Sequence, residues 1–250
     1  MRQACVILAL ACACACKESS STPTAPTPTT NAPTTPATRV LMLTATAGFR
    51  HDSIATAREV MSTIALANGF AVTATEDLSR INAAGLSETD VVMFALTSGE
   101  LALSESQRAA LIAAINGGKG FIGIHSATDT LREWPEYGRL VGSYVIDHPW
   151  TQQARVLVEA PSHPAAGIVD AFSLEEEFYV FGDNPRPRVQ VLLRLDAASV
   201  GAAGDYPLAW AQSFGSGRAY YNALGHFPAT WRDTRFQSQL IAAIRWAANK

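Results

Sequence analysis

Three of the five histidines follow short apolar runs that are typical of β-strands. His51 comes after the first run, His125 after the fourth and His226 after the last. In an open α/β sheet, ligands bind beyond the carboxyl ends of the strands, because short loops and helix N-termini converge there. Imidazole titrates near neutral pH, so it can transfer protons or bind a divalent metal. The spacing therefore predicts a histidine site at one edge of a sheet.

Other polar and aromatic side chains could join this site. Carboxylates can act with histidines in proton transfer, and aromatic rings offer flat faces of the kind that stack on sugars. These further candidates are Ser98, Asp129, Trp134, Asp147, His148, Glu177 and Tyr179. His163 lies in a Ser-His-Pro turn instead, and we interpret it as a structural residue.

Several chemistries are excluded by the residues present. Esterases with a serine nucleophile use a pattern such as Gly-x-Ser-x-Gly, whereas residues 123–127 read GIHSA. All four cysteines lie within residues 1–16, so the remainder of the chain has no thiol nucleophile. The sequence has neither a phosphate loop with lysine nor a dinucleotide fingerprint. The chain has a formal net charge of −3, whereas nucleic-acid binding requires a basic surface. No nucleic-acid partner is therefore expected.

Alternating apolar runs and helical patterns indicate the elements that position these residues. Strands are predicted at residues 40–46, 70–75, 90–96, 120–124, 155–159, 189–195, 208–214 and 218–223. Ser53 is expected to cap a helix that Gly69 ends, and Ser104 with Gln107 has the spacing of a capping box. A final amphipathic helix is predicted over residues 234–248. This alternation predicts a single, doubly wound α/β domain with a mostly parallel sheet over residues 39–250.

The first 38 residues differ in composition from the rest of the chain. Residues 1–16 contain one early arginine, an apolar stretch and then small residues with cysteine, which is the layout of a signal peptide. Cys12 and Cys14 each follow a small residue, as in the lipobox of bacterial lipoproteins. Residues 17–38 are rich in Pro, Thr and Ser and are expected to form a disordered, extended tether. The chain is therefore expected to be exported and lipid-anchored to the membrane of a bacterial cell envelope.

Several stretches together resemble the trehalose-utilization, or ThuA-like, family. They are GFRHDS at 48–53, GGKGFIGIHSATDTLREW at 117–134, VG at 141–142, DHPWTQ at 147–152, EEFYVF at 176–181, PLAW at 207–210 and GRAYYNALGH at 217–226. The resemblance implies a flavodoxin-like fold similar to class I glutamine amidotransferases, with His125 at the position of the nucleophilic cysteine and no amidotransferase activity. It also implies a link to carbohydrate metabolism. The family usually has Asp-Glu where this chain has Glu176-Glu177, which keeps the acid at Glu177.

Three functions fit these residues. In the first, the chain is an envelope enzyme that acts on trehalose, a related disaccharide or an oxidised sugar, with His125 and Glu177 as acid and base and Asp129 in support. The expected substrate-binding residues are His51, Ser98, Trp134, His148, Tyr179 and His226. A divalent metal such as zinc, held by His125, His148 and His226, is the alternative chemistry. In the second function the same cleft binds a carbohydrate without catalysis, and in the third the chain is an interaction module without a small ligand.

Overall fold

The computed structural model describes Met1 and residues 38–249. The strands in this part of the chain are β1 (Thr38–Leu43), β2 (Phe70–Thr75), β3 (Val91–Ala95), β4 (Gly120–Ile124), β5 (Val145–Val158), β6 (Phe172–Phe181), β7 (Gln190–Leu195), β8 (Pro207–Phe214) and β9 (Gly217–Asn222). The α-helices are α1 (Ser53–Asn68), α2 (Ala83–Ser87), α3 (Glu105–Asn116), α4 (Pro135–Val141), α5 (Pro228–Arg232) and α6 (Thr234–Ala247). Short 3₁₀ helices cover Leu78–Arg80, His125–Asp129 and Ala197–Val200.

The strands form one sheet with the order β2-β1-β3-β4-β9-β8-β7-β5-β6. Neighbours from β2 to β9 are parallel, and neighbours from β9 to β6 are antiparallel. The predicted α/β class with a single sheet is confirmed. A parallel crossover needs a dozen or more residues, so a very short connection forces the two strands that it joins to be antiparallel. Only Gly215 and Ser216 join β8 to β9, so these two strands form a hairpin.

The central parallel strands β3 and β4 are buried on both faces. Every residue of β3 and β4 is buried, which explains why their sequences are continuously apolar. Helices α1, α5 and α6 contact one another, and α6 also packs on β4 and β9. Helices α2 and α3 pack together, while α4 contacts β4 and β9. At Gly120 a Cβ atom would lie 2.6 Å from the Ala247 carbonyl oxygen, so the contact between β4 and α6 requires glycine.

The predicted helix caps are confirmed for α3 and differ for α1. Ser104 Oγ accepts the Gln107 backbone N–H and the Gln107 side chain accepts the Ser104 N–H, as a capping box requires. The expected cap by Ser53 is wrong, because Asp52 occupies the cap position. The Ser53 hydroxyl instead donates to the Gly225 carbonyl oxygen over 3.1 Å, which joins the start of α1 to the segment after β9.

The β5–β6 pair was only partly predicted from the sequence. β5 begins well before the predicted strand at residues 155–159, and β6, which contains the acidic run, was not predicted as a strand. Burial alternates along this part of β6, so that Glu175 is exposed while Glu176 is buried. The pairing has register shifts near His148, at the end of β5 that approaches the histidine loops. Such bulges redirect side chains and are common next to active sites.

The export features predicted from the sequence, with the candidate lipidation residues Cys12 and Cys14, lie outside the described residues. Among the residues that are described, no helix combines the length and apolar character needed to cross a membrane.

Candidate functional site

The carboxyl ends of β1, β3, β4 and β9 bring the predicted histidine loops together. Isolated bridges between Thr46 and Ser98, and between Gly99 and Thr130, extend the parallel pairing beyond the strands. A cavity of about 330 Å³ opens at this edge, within the usual range for small-molecule sites of about 300–1,000 Å³. Its lining residues are Phe49, His51, Ser98, Ser126, Asp129, Arg132, Val145, Ile146, Asp147, His148, Glu177, Tyr179 and His226.

His125 follows β4 directly and lies at the base of this site. It is fully buried and has a φ of 53°, a left-handed conformation that costs a non-glycine residue about 1–3 kcal/mol and is concentrated at functional sites. Its Nδ1 lies 2.7 Å from the Ala223 carbonyl oxygen. A carbonyl can only accept, so Nδ1 carries a proton. The atom that faces Glu177 and His226 is therefore Nε2, the ring nitrogen that is available to bind a metal.

Glu177 and His226 both approach this nitrogen. Glu177 Oε2 lies 3.4 Å from His125 Nε2 and 3.2 Å from His226 Nδ1. His226 Nδ1 lies 3.4 Å from His125 Nε2. The three atoms therefore form a nearly equilateral triangle. Its two longer sides exceed the length of strong hydrogen bonds, about 2.7–3.2 Å.

His51 completes a four-residue group, which we call the His/Glu cluster: His51, His125, Glu177 and His226. One donor atom from each residue lies within 4.8 Å of the other three. His51 is 6% exposed, and its ring packs edge-on against those of His125 and His226. Burial, followed by repulsion from the other two histidines, lowers the pKa of His51 to about 3, so this ring is neutral at pH 7. Its Nδ1 is buried and has no hydrogen-bond partner among the described residues.

Glu177 carries the negative charge of the cluster. Burial acts to raise the pKa of its carboxyl, but the hydrogen bonds and charges of His125 and His226 outweigh burial and hold it well below its usual range. The hydrogen bond to Glu177 raises the pKa of His226. A bound cation would compete with the proton that these two side chains share, because metal ligands must be deprotonated.

The donors of the cluster fit a divalent metal such as zinc. Tetrahedral zinc with bonds of about 2.0–2.2 Å separates its ligand atoms by about 3.3–3.6 Å. The three measured separations are 3.2, 3.4 and 3.4 Å. The bond from His125 Nδ1 to a carbonyl is the outer contact that metal-bound histidines usually make. The unpartnered Nδ1 of His51 is a further nitrogen of the cluster that could bind a ligand.

A second carboxylate, Glu176, fixes the segment that carries His226. Glu176 is fully buried and accepts hydrogen bonds from the backbone N–H groups of Gly225, at 2.9 Å, and His226, at 3.0 Å. It also accepts the Thr230 hydroxyl at 2.7 Å. Adjacent residues of β6 therefore supply one carboxylate inside the cluster and another that positions a cluster histidine.

The sequence matches the family model described as trehalose utilisation, ThuA, over residues 39–247. The chain belongs to the ThuA family. This membership supports a role related to carbohydrate. No curated protein matches the sequence.

Solved structures of ThuA-like proteins share this fold. One from Bacteroides uniformis is 22% identical, with 87% of this chain and 94% of that chain covered and a TM-score of 0.72. One from Parabacteroides merdae is 18% identical, with 84% and 90% covered and a TM-score of 0.69. A β-galactosidase from Bacillus circulans sp. alkalophilus is 15% identical, with 85% of this chain but only 31% of that chain covered and a TM-score of 0.57.

Three other predicted site residues of this ThuA-family chain lie around the cluster. His148 is 61% exposed in its side chain, and its Nδ1 lies 3.1 Å from Glu177 Oε1. The Tyr179 hydroxyl lies 2.9 Å from His125 Nε2, and the two rings stack. Asp129 lines the cavity and pairs with Arg132 at 3.2 Å. Carboxylate, imidazole and phenol groups therefore surround the cluster.

Ser98 lines the cavity and also holds the loop that carries His51. Its hydroxyl donates to the Phe49 carbonyl oxygen over 2.6 Å, and its own carbonyl accepts the Ala47 N–H over 2.8 Å. The following residue, Gly99, has a φ of 72°, and a Cβ atom there would lie 2.6 Å from the Gly48 nitrogen. The two loops therefore approach each other more closely than a side chain at Gly99 allows.

Trp134 does not line the cavity and cannot serve there as the expected aromatic platform. It is only 7% exposed and stacks on Tyr137, and the Arg108 guanidinium lies over its ring. As the residue before α4, it packs its ring against that helix rather than into the cavity.

The exposed aromatic side chain of the cavity is Phe49, at 65% exposure. Sequence reasoning missed five lining residues: Phe49, Ser126, Arg132, Val145 and Ile146. The sequence motif at residues 48–53 includes Phe49, but the sequence alone does not show whether the Phe49 ring is buried or exposed.

Proposed function

We propose that this chain is a lipid-anchored enzyme of the cell envelope that processes a sugar at a divalent metal centre. The cluster of His51, His125, Glu177 and His226 is the proposed metal site. The observation that carries the proposal is the 3.2–3.4 Å spacing of three donor atoms, which is close to the separation of ligand atoms in tetrahedral coordination. In this ligand set His51 takes the place that the sequence suggested for His148.

The surrounding side chains suit a reaction at a sugar oxygen. A zinc ion, when bound, supplies Lewis-acid polarisation of a carbonyl or hydroxyl oxygen. Burial raises the pKa of the Tyr179 hydroxyl well above its usual value, so this group stays protonated. Its proton can be donated to His125 Nε2, 2.9 Å away, and would be free to bind substrate if that nitrogen held a metal. His148 contacts Glu177 and is exposed, so it can exchange protons between the site and solvent. Asp129 and Arg132 are available to bind sugar hydroxyls at the rim of the cavity.

The substrate part of the proposal rests on the family and on the size of the site. The ThuA family is described by trehalose utilisation, and the cavity of about 330 Å³ suits a small carbohydrate. Trehalose, a related disaccharide or an oxidised sugar is therefore the proposed substrate class.

The envelope part of the proposal rests on the sequence of residues 1–38. The signal-like start ends in candidate lipidation residues, Cys12 and Cys14, and is followed by the segment rich in Pro, Thr and Ser. At about 3.1 Å per residue in an extended polyproline geometry, that segment would span up to about 70 Å. It would hold the catalytic domain at the membrane while leaving the sugar site open to solvent.

Elemental analysis of the protein purified without a histidine tag tests the metal site. We expect about one divalent ion per chain, lost in His125→Ala or His226→Ala because each removes a ligand nitrogen. His163→Ala is the matched control, since His163 lies against Trp246 outside the cluster and its loss should leave the ion in place. Circular dichroism on each variant separates loss of metal from loss of fold.

The absence of any ion, even after incubation with zinc, would contradict the metal site. Turnover of trehalose by that metal-free protein, abolished in His125→Ala, would then assign the reaction to acid and base catalysis by His125 and Glu177. Sugar binding without turnover would indicate the noncatalytic function.

A further inference from the structure

The Ser126 hydroxyl is an unexplained polar group in the cavity. Ser126 is only 2% exposed and lines the cavity beside the His/Glu cluster. Its Oγ is buried and has no hydrogen-bond partner among the described residues. Leaving a buried hydroxyl without a partner destabilises a protein, so each such group calls for an explanation.

Neighbouring hydroxyls in the same part of the fold all have partners. Thr128 Oγ1 lies 2.9 Å from the Tyr221 hydroxyl, and Thr130 Oγ1 donates to the Ser126 carbonyl over 3.0 Å. The Ser98 hydroxyl donates to the Phe49 carbonyl. Ser126 is therefore the exception among these side chains. A ligand in the cavity would supply the partner that the protein does not.

The cavity lining also contains two exposed apolar side chains. Phe49 is 65% exposed and Ile146 is 63% exposed, and both line the cavity. Large apolar side chains with this exposure, placed together beside buried polar groups, indicate a binding surface. The Phe49 ring is held edge-on against His51 at a centroid distance of 4.8 Å, next to the cluster.

The cavity therefore suits a molecule with a flat apolar face and hydroxyl groups around its edge. A sugar ring has this character, because its C–H bonds lie on its faces and its hydroxyls project from its rim. Buried Ser126 can bond one hydroxyl, while Phe49 and Ile146 cover a face of the ring. Trp134 and Tyr179 cannot cover it in this way, since they are only 7% and 3% exposed.

We propose that Ser126, Phe49 and Ile146 form a sugar subsite beside the metal centre. The Ser126 hydroxyl hydrogen-bonds an oxygen of the sugar, and Phe49 with Ile146 packs against the apolar face of the ring. This inference deepens the proposed function and rests on it for the reacting centre. It assigns substrate binding to three residues that were not among the expected substrate-binding residues.

Substitution of Ser126 by alanine should weaken sugar binding and raise the stability of the sugar-free protein. Titration calorimetry of the metal-loaded full chain with trehalose and with glucose should show about tenfold weaker binding in Ser126→Ala, as expected for one lost hydrogen bond. The same substitution should raise the Tm of the sugar-free protein by about 2–4 °C, because it removes an unpartnered buried hydroxyl.

Ser143→Ala is the matched control for this experiment. Ser143 is also buried, but its hydroxyl donates to the Asp183 carbonyl over 2.6 Å and it does not line the cavity. This control should lower Tm and leave sugar binding unchanged. A lower Tm with unchanged binding in Ser126→Ala would show that Ser126 is a packing residue and overturn its assignment.

Phe49→Ala tests the apolar half of the subsite. We expect at least tenfold weaker sugar binding, with unchanged metal content, because the side chain removed is mostly exposed and lies outside the His/Glu cluster. Leu66→Ala removes another exposed apolar side chain, at 84% exposure on α1, and should have no effect on binding.

Metal content separates failure of this subsite from failure of the proposed function. A protein without metal would contradict the metal centre. Metal-loaded protein that binds neither sugar, or that binds them equally well in Ser126→Ala and Phe49→Ala, would overturn the subsite while leaving the metal centre in place.

Discussion

Glu176 and Glu177 show how adjacent residues of one strand acquire different roles. Side chains alternate between the two faces of a strand, so neighbours meet different surroundings. Glu177 meets the imidazoles of His125 and His226, whereas Glu176 meets backbone N–H groups and the Thr230 hydroxyl. Burying a carboxylate is costly unless donors satisfy it, and Glu176 has such donors on both oxygens.

Glu176→Gln should weaken the metal site without changing any proposed ligand. The amide keeps the shape of the side chain but places an NH₂ group against donors, so one or more bonds to the His226 segment are lost. We expect unfolding free energy to fall by about 1.5–3 kcal/mol, the range for hydrogen bonds to charged groups. Zinc affinity should fall about 10–100-fold, as for other residues that orient ligands.

Chemical denaturation and competitive zinc titration measure these two effects. Glu175→Gln is the matched control, because Glu175 is the exposed neighbour on the same strand. Wild-type zinc affinity in a folded Glu176→Gln variant would contradict a positioning role for Glu176.

At the scale of elements, the loops after β1 and β3 must approach each other to place His51. Gly99 permits this approach through its left-handed conformation and its lack of a side chain. Gly201 is also left-handed, with a φ of 68°, but has no atom within 4 Å of the position of a Cβ. The two glycines therefore separate the effect of backbone conformation from the effect of a steric clash.

Gly99→Ala should be more damaging than Gly201→Ala. The left-handed conformation costs alanine about 1–2 kcal/mol at either position. At Gly99 the clash with the Gly48 backbone should add about 1–3 kcal/mol. Denaturant unfolding measures both losses, and Gly99→Ala should also lower zinc affinity by displacing His51. Equal losses in the two variants would contradict the tight contact between the loops.

The strand-end rule predicted much of the site, because it depends only on the order of apolar runs and polar residues. It brought His51, His125 and His226 to one edge of the sheet, where the structure has them. It could not show whether His51 or His148 is nearer to the other donors, since that depends on the bulged pairing of β5 with β6.

The sequence patterns did not predict which individual side chains are exposed to solvent. Trp134 and Phe49 both occur in matching motifs beside polar residues, yet Trp134 packs inward and Phe49 remains exposed. β6 was not predicted as a strand, because three consecutive glutamates conceal the alternation that fully buries only Glu176 among them. Ser126 gave no signal, since an unpartnered hydroxyl is visible only when its neighbours are known.

At the scale of the whole molecule, the site joins the two halves of the sheet. The parallel half contributes His51, His125 and His226 through the segments that follow its strands. The antiparallel half contributes Glu177 and Tyr179 from β6, together with His148 from β5. The cluster forms only because Glu177, on the edge strand β6, reaches the histidines that follow the parallel strands. The position of β6 in the sheet therefore matters for the proposed metal site.

The proposed membrane attachment would depend on the two candidate lipidation residues, Cys12 and Cys14. If lipid is attached at one of them, Cys12→Ser or Cys14→Ser should release the protein from the membrane fraction, because the modified residue is the only covalent link to lipid. Labelling with a radioactive fatty acid should be lost in the same variant and kept in the other.

Cys5→Ser is the control, since Cys5 precedes the apolar stretch and does not follow the lipobox pattern. Unlabelled protein in the wild type, or labelling that survives the double variant of Cys12 and Cys14, would contradict lipidation at these positions. Because residues 17–38 separate the cysteines from the domain, metal content and sugar binding of the released variant should equal those of the anchored protein. A change in either would mean that the anchor affects the site itself.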